Sequence, residues 1–186
     1  NVGSATNMLN TAVGYNAGAL VTTGTLNTLV GGGAGDALNT GEGNTALGRN
    51  ALGADTKGDL SVAIGYSALA NQNFSSNTDT YNTAVGFNAG GAVTTGTANT
   101  MVGSLAGQSM TTGGYNTFLG INASAGATVT GNSNTCLGDA AAYSLTSGSN
   151  NIVIGKDAGR TGSPGGNITT HSNNICLGED NISAAY

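Results

Sequence analysis

The residues of this 186-residue chain that could do chemistry are few and scattered. His171 is the single histidine and stands in the irregular segment 161–173, where it reads as a loop residue rather than a general base. Asp139, Asp157, Glu179 and Asp180 gather toward the C-terminal end but form no paired column, so they read as a solvated rim. "GGAGDAL" at 32–38 offers one Asp among glycines, whereas a calcium-binding turn of that kind needs stacked copies with the acid in a fixed place. "GGGAG" at 31–35 lacks the Lys-Ser/Thr and the strand-to-helix context of a phosphate loop. Asn-x-Ser/Thr sequons at Asn73, Asn122, Asn167 and Asn181 are what chance supplies in a chain so rich in Asn and Ser. The expectation is therefore a protein that is not an enzyme and that uses no cofactor and no metal. Tyr15, Tyr66 and Phe87 share one position of a repeating pattern. Exposed rings there could stack on sugars, although packing against a neighbouring chain is the preferred reading.

The composition narrows the class further. Thirty-three Gly, one Pro, no Trp and only 7% charged residues depart from the roughly 25% charge of ordinary globular domains. At 38% hydrophobic, the chain has too much apolar content for a disordered segment, and its glycines show no collagen period. A net charge of −5 offers no basic surface to nucleic acid or anionic lipid. No apolar run is long enough to suggest a membrane span, and the first residues, "NVGSATNMLN", lack the regions of a signal peptide. The pattern begins part-way through a repeat and without Met, which suggests a piece of a longer protein.

The repeat is what must position everything else. "NTAVGYNAG" at 10–18 returns as "NTAVGFNAG" at 82–90. The underlying pattern, [N/S]-[T/V/I]-x-[V/L/I]-G, ends at Gly14, Gly31, Gly48, Gly65, Gly86, Gly103, Gly120, Gly138, Gly155 and Gly178. Successive intervals are 17, 17, 17, 21, 17, 17, 18, 17 and 23 residues. Before each glycine stands a branched aliphatic residue, from Val13 to Leu177, and four before it stand nine Asn and Ser61. A second apolar column, Val21, Leu38, Val93, Met110, Val129 and Leu145, follows the glycines at about half a period and is broken by Asp55. Two short strands and two glycine-marked turns per repeat predict a parallel β-solenoid forming a single domain over residues 1–186. Stacked Asn side chains should hydrogen-bond along it. A helical solenoid is disfavoured, because its repeats run to about 33 residues or more and internal glycines weaken helices.

Strand alternation sends Thr11 and Val13 to one side and Asn10 and Ala12 to the other. If the Val13 column fills the coil, the outward column is Ala12, Leu29, Ala46, Ala63, Ala84, Met101, Phe118, Cys136, Val153 and Cys176, all apolar. Such a stripe implies self-association, with these residues at the interface between chains. Cys136 and Cys176 lie two rungs apart in it, about 9–10 Å between Cα atoms, so no disulfide should join them within one chain.

"SVAIGYSALA" at 61–70 resembles the head repeats of trimeric autotransporter adhesins, and "NTAVGYNAGALVTTGTLNTLVG" and "NNIVIGKDAG" resemble the Asn/Gly-rich shafts of phage tail fibres and bacterial surface fibres. The resemblance spans essentially the whole chain. It implies a left-handed parallel β-roll of about ten coils assembled as a homotrimer, in a family where such shafts often precede an endosialidase-type chaperone domain. It implies an extracellular place, on a virion tail or a bacterial surface, and a structural and adhesive role. A cell-surface glycan or protein would then be met by regions outside this sequence. Two other readings stay open: an ice-binding β-solenoid, and a solenoid that binds or degrades polysaccharide. Insertions at 71–81 and 160–172 should leave the coil as surface loops, because the columns resume in register after both.

Overall fold

The protein is described by a computed structural model over residues 9–160 and 166–178. In each repeat the β-branched or aliphatic triplet before the key glycine is a strand, which suits residues stiff at χ1. These are β1 (Thr11–Val13), β2 (Thr28–Val30), β3 (Thr45–Leu47), β5 (Val62–Ile64), β7 (Thr83–Val85), β8 (Thr100–Val102), β9 (Thr117–Leu119), β10 (Thr135–Leu137), β11 (Ile152–Ile154) and β12 (Ile175–Leu177). They stack in sequence order as one parallel ten-stranded sheet, each residue opposite its equivalent in the next repeat. Two further pieces, β4 (Gly58–Asp59) and β6 (Thr78–Asp79), form a separate parallel pair. The described residues contain no helix. This is a β-solenoid with one coil per repeat.

The expected second strand of each coil is largely absent. Only the β4–β6 pair and a single bridge, Met110–Val129, form on that side. Successive coils still hydrogen-bond there, as Asn39 N–H to Thr56 O (2.9 Å) and Thr94 N–H to Thr111 O (2.9 Å) show. The chain turns too often to hold a ladder. Several positions per repeat are left-handed, including Asn16, Asn50 and Asn88 two residues after the key glycine.

The two faces of the sheet are the reverse of the expectation. Thr11 and Val13 do share a face, but that face is outside. The column from Leu29 through Ala46, Ala63, Ala84, Met101, Phe118, Cys136 and Val153 to Cys176 is at most 1% exposed in a single chain, with half-buried Ala12 packed on its first rung. These residues fill the coil instead of lying between chains. The Asn column next to them settles the matter. From Asn10 to Asn151 each amide bonds to the backbone of the following coil, so the cost of burying it is compensated and its polarity does not require exposure.

In several coils the interior is packed by compensation of volume within the coil; Ala84 and Gly90 are both small, and there Met101 and Leu69 of the neighbouring coils fill the space. Ala46 and Ala63 are matched by buried Leu52 and Leu69, six residues on. Where the strand residue is large, that partner shrinks: Leu29 with Gly35, Met101 with Gly107, Val153 with Gly159. A Cβ at Gly107 would come within 2.9 Å of both Met101 Sδ and Phe118 Cδ2. An alanine column three residues after the key glycine, from Ala17 to Ala158, lines the same space, and the Val21–Leu145 column continues through Ile168. Cys136 and Cys176 are both buried, Val153 pairs with each of them in register, and no disulfide joins them.

The insertion at 71–81 leaves the coil only in part. Ser75–Asn77 are exposed, but Gln72, Phe74 and Thr80 are buried and Thr78–Asp79 returns to pair with Gly58–Asp59. Residues 161–165 of the second insertion lie outside the described residues, as do Glu179, Asp180 and the sequon at Asn181.

Candidate functional site

Three surfaces or clusters could carry function, and each grows out of the repeat. The first is internal. Along the regular coils the Asn side chain accepts the next Asn N–H and donates to a carbonyl of the next turn: Asn27 N–H to Asn10 Oδ1 is 2.7 Å, and Asn10 Nδ2 to Gly24 O is 2.8 Å. Ser61 interrupts this ladder, and its hydroxyl is too short to serve. A polar cluster takes over. Gln72 Nε2 donates to Asp55 Oδ2 (2.6 Å) and to Ser61 Oγ (2.8 Å), while Asn82 Nδ2 donates to Gln72 Oε1 (2.8 Å). Thr80 Oγ1 donates to Asp59 O, so the short Ser61–Thr80 bond (2.6 Å) runs from Ser61 to Thr80. Asp55 also accepts Gly58 N–H (2.9 Å) and Lys57 N–H (3.3 Å). Burial pushes the Asp55 carboxyl above its ordinary value against these donors, with no solvent route to a substrate. The cluster holds the coil together.

The second surface is the outer face of the sheet. The residue before each key glycine projects from it, and Val13, Leu47, Leu119, Leu137 and Leu177 are all more than 40% exposed. Beside them runs a Thr column (Thr11, Thr28, Thr45, Thr83, Thr100, Thr117, Thr135) that gives way to Val62, Ile152 and Ile175. Neither column contains a charged residue.

The third is the edge where the chain turns off the sheet. Gly14 and its equivalents through Gly155 have φ between +120° and +138°, and a Cβ on Gly14 would lie 2.6 Å from Gly31 O. The next residue therefore points away from the turn, and along the molecule this position reads Tyr15, Gly32, Arg49, Tyr66, Phe87, Ser104, Ile121. Tyr66 and Phe87 stack with ring centroids 5.6 Å apart. Arg49 lies over Tyr66, its guanidinium carbon 5.5 Å from the ring centroid, and donates to Tyr66 Oη at 2.8 Å. A notch of about 260 Å³ opens between Tyr15 and Arg49, lined also by Asn16, Gly32, Asp36 and Asn50.

The remaining sequence candidates do not converge. His171 is exposed and contributes only its backbone carbonyl, which accepts Asn151 Nδ2 at 2.8 Å. Asp157 is held by Arg160 and, at 3.9 Å, by Lys156. Burial pushes the Cys136 thiol up to about 12, which removes it as a nucleophile near neutral pH. The sequence reasoning missed the Asp55–Ser61–Gln72–Asn82 cluster. Its signal was present in the break of two columns, aliphatic at Asp55 and Asn at Ser61. No protein-family model, no curated protein and no solved structure matches this chain. What the fold and the site define is a β-solenoid repeat protein with two patterned outer surfaces.

Proposed function

We propose that the chain is a shaft segment of an extracellular trimeric fibre, structural and adhesive in role, on a virion tail or a bacterial surface. One observation carries the reading: an uncharged column of Val, Leu and Ile, one coil apart along the outer face of the sheet, exposed at Val13, Leu47, Leu119, Leu137, Ile154 and Leu177 and half-buried at Val30, Ile64, Val85 and Val102. Soluble monomers seldom leave an apolar stripe of that length open. A repetitive face is best matched by a repetitive partner, since a contact that suits one coil then suits every coil. Another copy of the same chain meets that condition. The threefold number comes from the resemblance of the repeats to fibre shafts.

Light scattering on the purified chain should give a trimer. Leu47→Glu with Leu119→Glu places charges on the outer face, where the single chain has solvent, and should yield monomers that keep their β-sheet circular dichroism. A monomeric wild type, or a double variant that stays trimeric, overturns the proposal. The Thr column favours one other reading, an ordered-water or ice-binding face. Thermal hysteresis in the wild type, lost in Thr100→Leu, would support that reading in its place.

A further inference from the structure

Gly32 stands where nothing in the backbone asks for glycine. The residue before it does need glycine. Gly31 has φ +135° and a Cβ there would meet Gly48 O at 2.5 Å, and Gly33 occupies the left-handed position that Asn16 and Asn50 fill in adjacent coils. Gly32 has no such φ, and an added Cβ would meet only Tyr15 O at 3.9 Å, an ordinary contact. The equivalent residues in the coils before and after are Tyr15, Arg49, Tyr66 and Phe87. One rung of a stacked column is thus missing its side chain, and the notch of about 260 Å³ is the space it leaves.

The geometry points to this notch as a binding slot for a single pyranose ring. Tyr15 and Arg49 are two coils apart, about 9–10 Å at the usual spacing of strands. A ring centred between them sits roughly 5 Å from each, within the about 4.5–7 Å of stacked planar groups. Tyr66 and Phe87, one coil apart at 5.6 Å, show the same spacing filled from within. Tyr15, 83% exposed, offers an apolar face for the C–H side of a sugar. The guanidinium of Arg49 is already fixed against Tyr66 and forms the opposite wall. The lining groups at the back are Asp36, Asn16 and Asn50, a carboxylate and two amides that accept from and donate to vicinal hydroxyls. With a carboxylate and two amides in its lining, the notch offers more partners to a hydroxylated ring than to a purely aromatic one. The slot belongs to three successive coils of one chain, so it goes beyond the shaft reading and stands whether or not the chain is a trimer.

The test uses saturation-transfer NMR on the whole chain with methyl glycosides of glucose, galactose and mannose, with N-acetylglucosamine, and with indole. Transfer to ring protons of at least one sugar at millimolar concentration is expected. Gly32→Tyr should abolish it by completing the column while leaving the circular dichroism unchanged. Tyr15→Ala should weaken it at least tenfold, and Phe87→Ala should leave it as it was. Transfer to no sugar, transfer undiminished in folded Gly32→Tyr, or transfer to indole alone would overturn the assignment. If Gly32→Tyr fails to fold, Tyr15→Ala carries the test, and unchanged binding in that variant overturns it.

Discussion

Between Asn82 and Asn174 one Asn amide per coil bonds the next coil, in the same way each time, beside the backbone ladder. Asn116 accepts Asn134 N–H (2.9 Å) and Asn134 Nδ2 (3.0 Å) on Oδ1, and donates from Nδ2 to Gly131 O (3.0 Å). Between Asn44 and Asn82 the same connection takes Asp55, Ser61, Gln72 and Thr80 together, and Asn82 N–H is left with a long bond to Thr80 Oγ1 at 3.4 Å. The regular stretch needs only one residue type because every coil presents the same backbone groups at the same place. The interrupted stretch coincides with the insertion after Gln72, which moves those groups. At this insertion neighbouring side chains rebuild the lost bonds, whereas across the longer one at 160–172 Asn151 still accepts Asn174 N–H (3.0 Å) and donates to His171 O (2.8 Å).

Breaking the regular stretch should have the largest effect. Asn116→Ala leaves Asn134 N–H and Gly131 O buried without partners, at about 1–3 kcal/mol each, so a loss of roughly 3 kcal/mol or more is expected. Urea denaturation reads it directly. A loss under about 1 kcal/mol would mean that water or a shifted backbone replaces the amide, and that the ladder is not what couples the coils.

Much of this ladder was legible in the sequence, because a period, a glycine column and an Asn column are properties of spacing alone. Which face is inside was not. Alternation groups Ala12 with Asn10 and Val13 with Thr11, but both groupings are compatible with either face. Reading Val13 as core relied on hydrophobicity, and reading Asn10 as surface ignored that a fully bonded amide can be buried. The volume match of Ala46 with Leu52 and of Leu29 with Gly35 was a signal for the inner face, although Ala12 with Gly18 and Ala84 with Gly90 do not follow it. Gly32 could not have been singled out there, since Gly31, Gly32 and Gly33 look alike until φ and the space around each are known.

Converting the interrupted stretch to the regular pattern should have a smaller effect, of opposite sign and dependent on pH. Burial first of all raises the carboxyls of Asp55 and Asp59 above the ordinary 3.8. A carboxyl held more tightly protonated in the fold than in the unfolded chain gives stability that is full below about 3.8 and lost as pH rises through the folded value. These two groups therefore favour the fold at about pH 4 over pH 7, opposite in sign to a salt-bridged acid. Asp55→Val with Ser61→Asn and Gln72→Val restores both columns, removes the buried carboxylate and leaves only the Asp59 part of the dependence. A gain of about 1–2 kcal/mol at pH 7, shrinking toward pH 4, is expected in thermal melts. A variant that is less stable than wild type at both pH values would show that the cluster, not the column, suits this coil.

The smallest effect should come from the exposed part of the same insertion. Asn77 fastens the loop two coils back, accepting from Thr40 Oγ1 (2.9 Å) and donating to Thr40 O (3.2 Å), both in solvent. Water replaces exposed bonds of this kind at little cost, so Asn77→Ala should lower stability by well under about 1 kcal/mol. What holds the insertion is buried: Phe74 is 7% exposed, its backbone bonds Asp55, and Thr78 N–H reaches Lys57 O at 3.2 Å. Hydrogen exchange separates the two anchors. In Asn77→Ala the amides of Ser75 and Ser76 should exchange as fast as free peptide while that of Thr78 keeps its protection. Loss of protection at Thr78 as well would place the anchor of the loop in the Thr40 contact, and would make the short β4–β6 pair a consequence of that contact rather than part of the rebuilt coil.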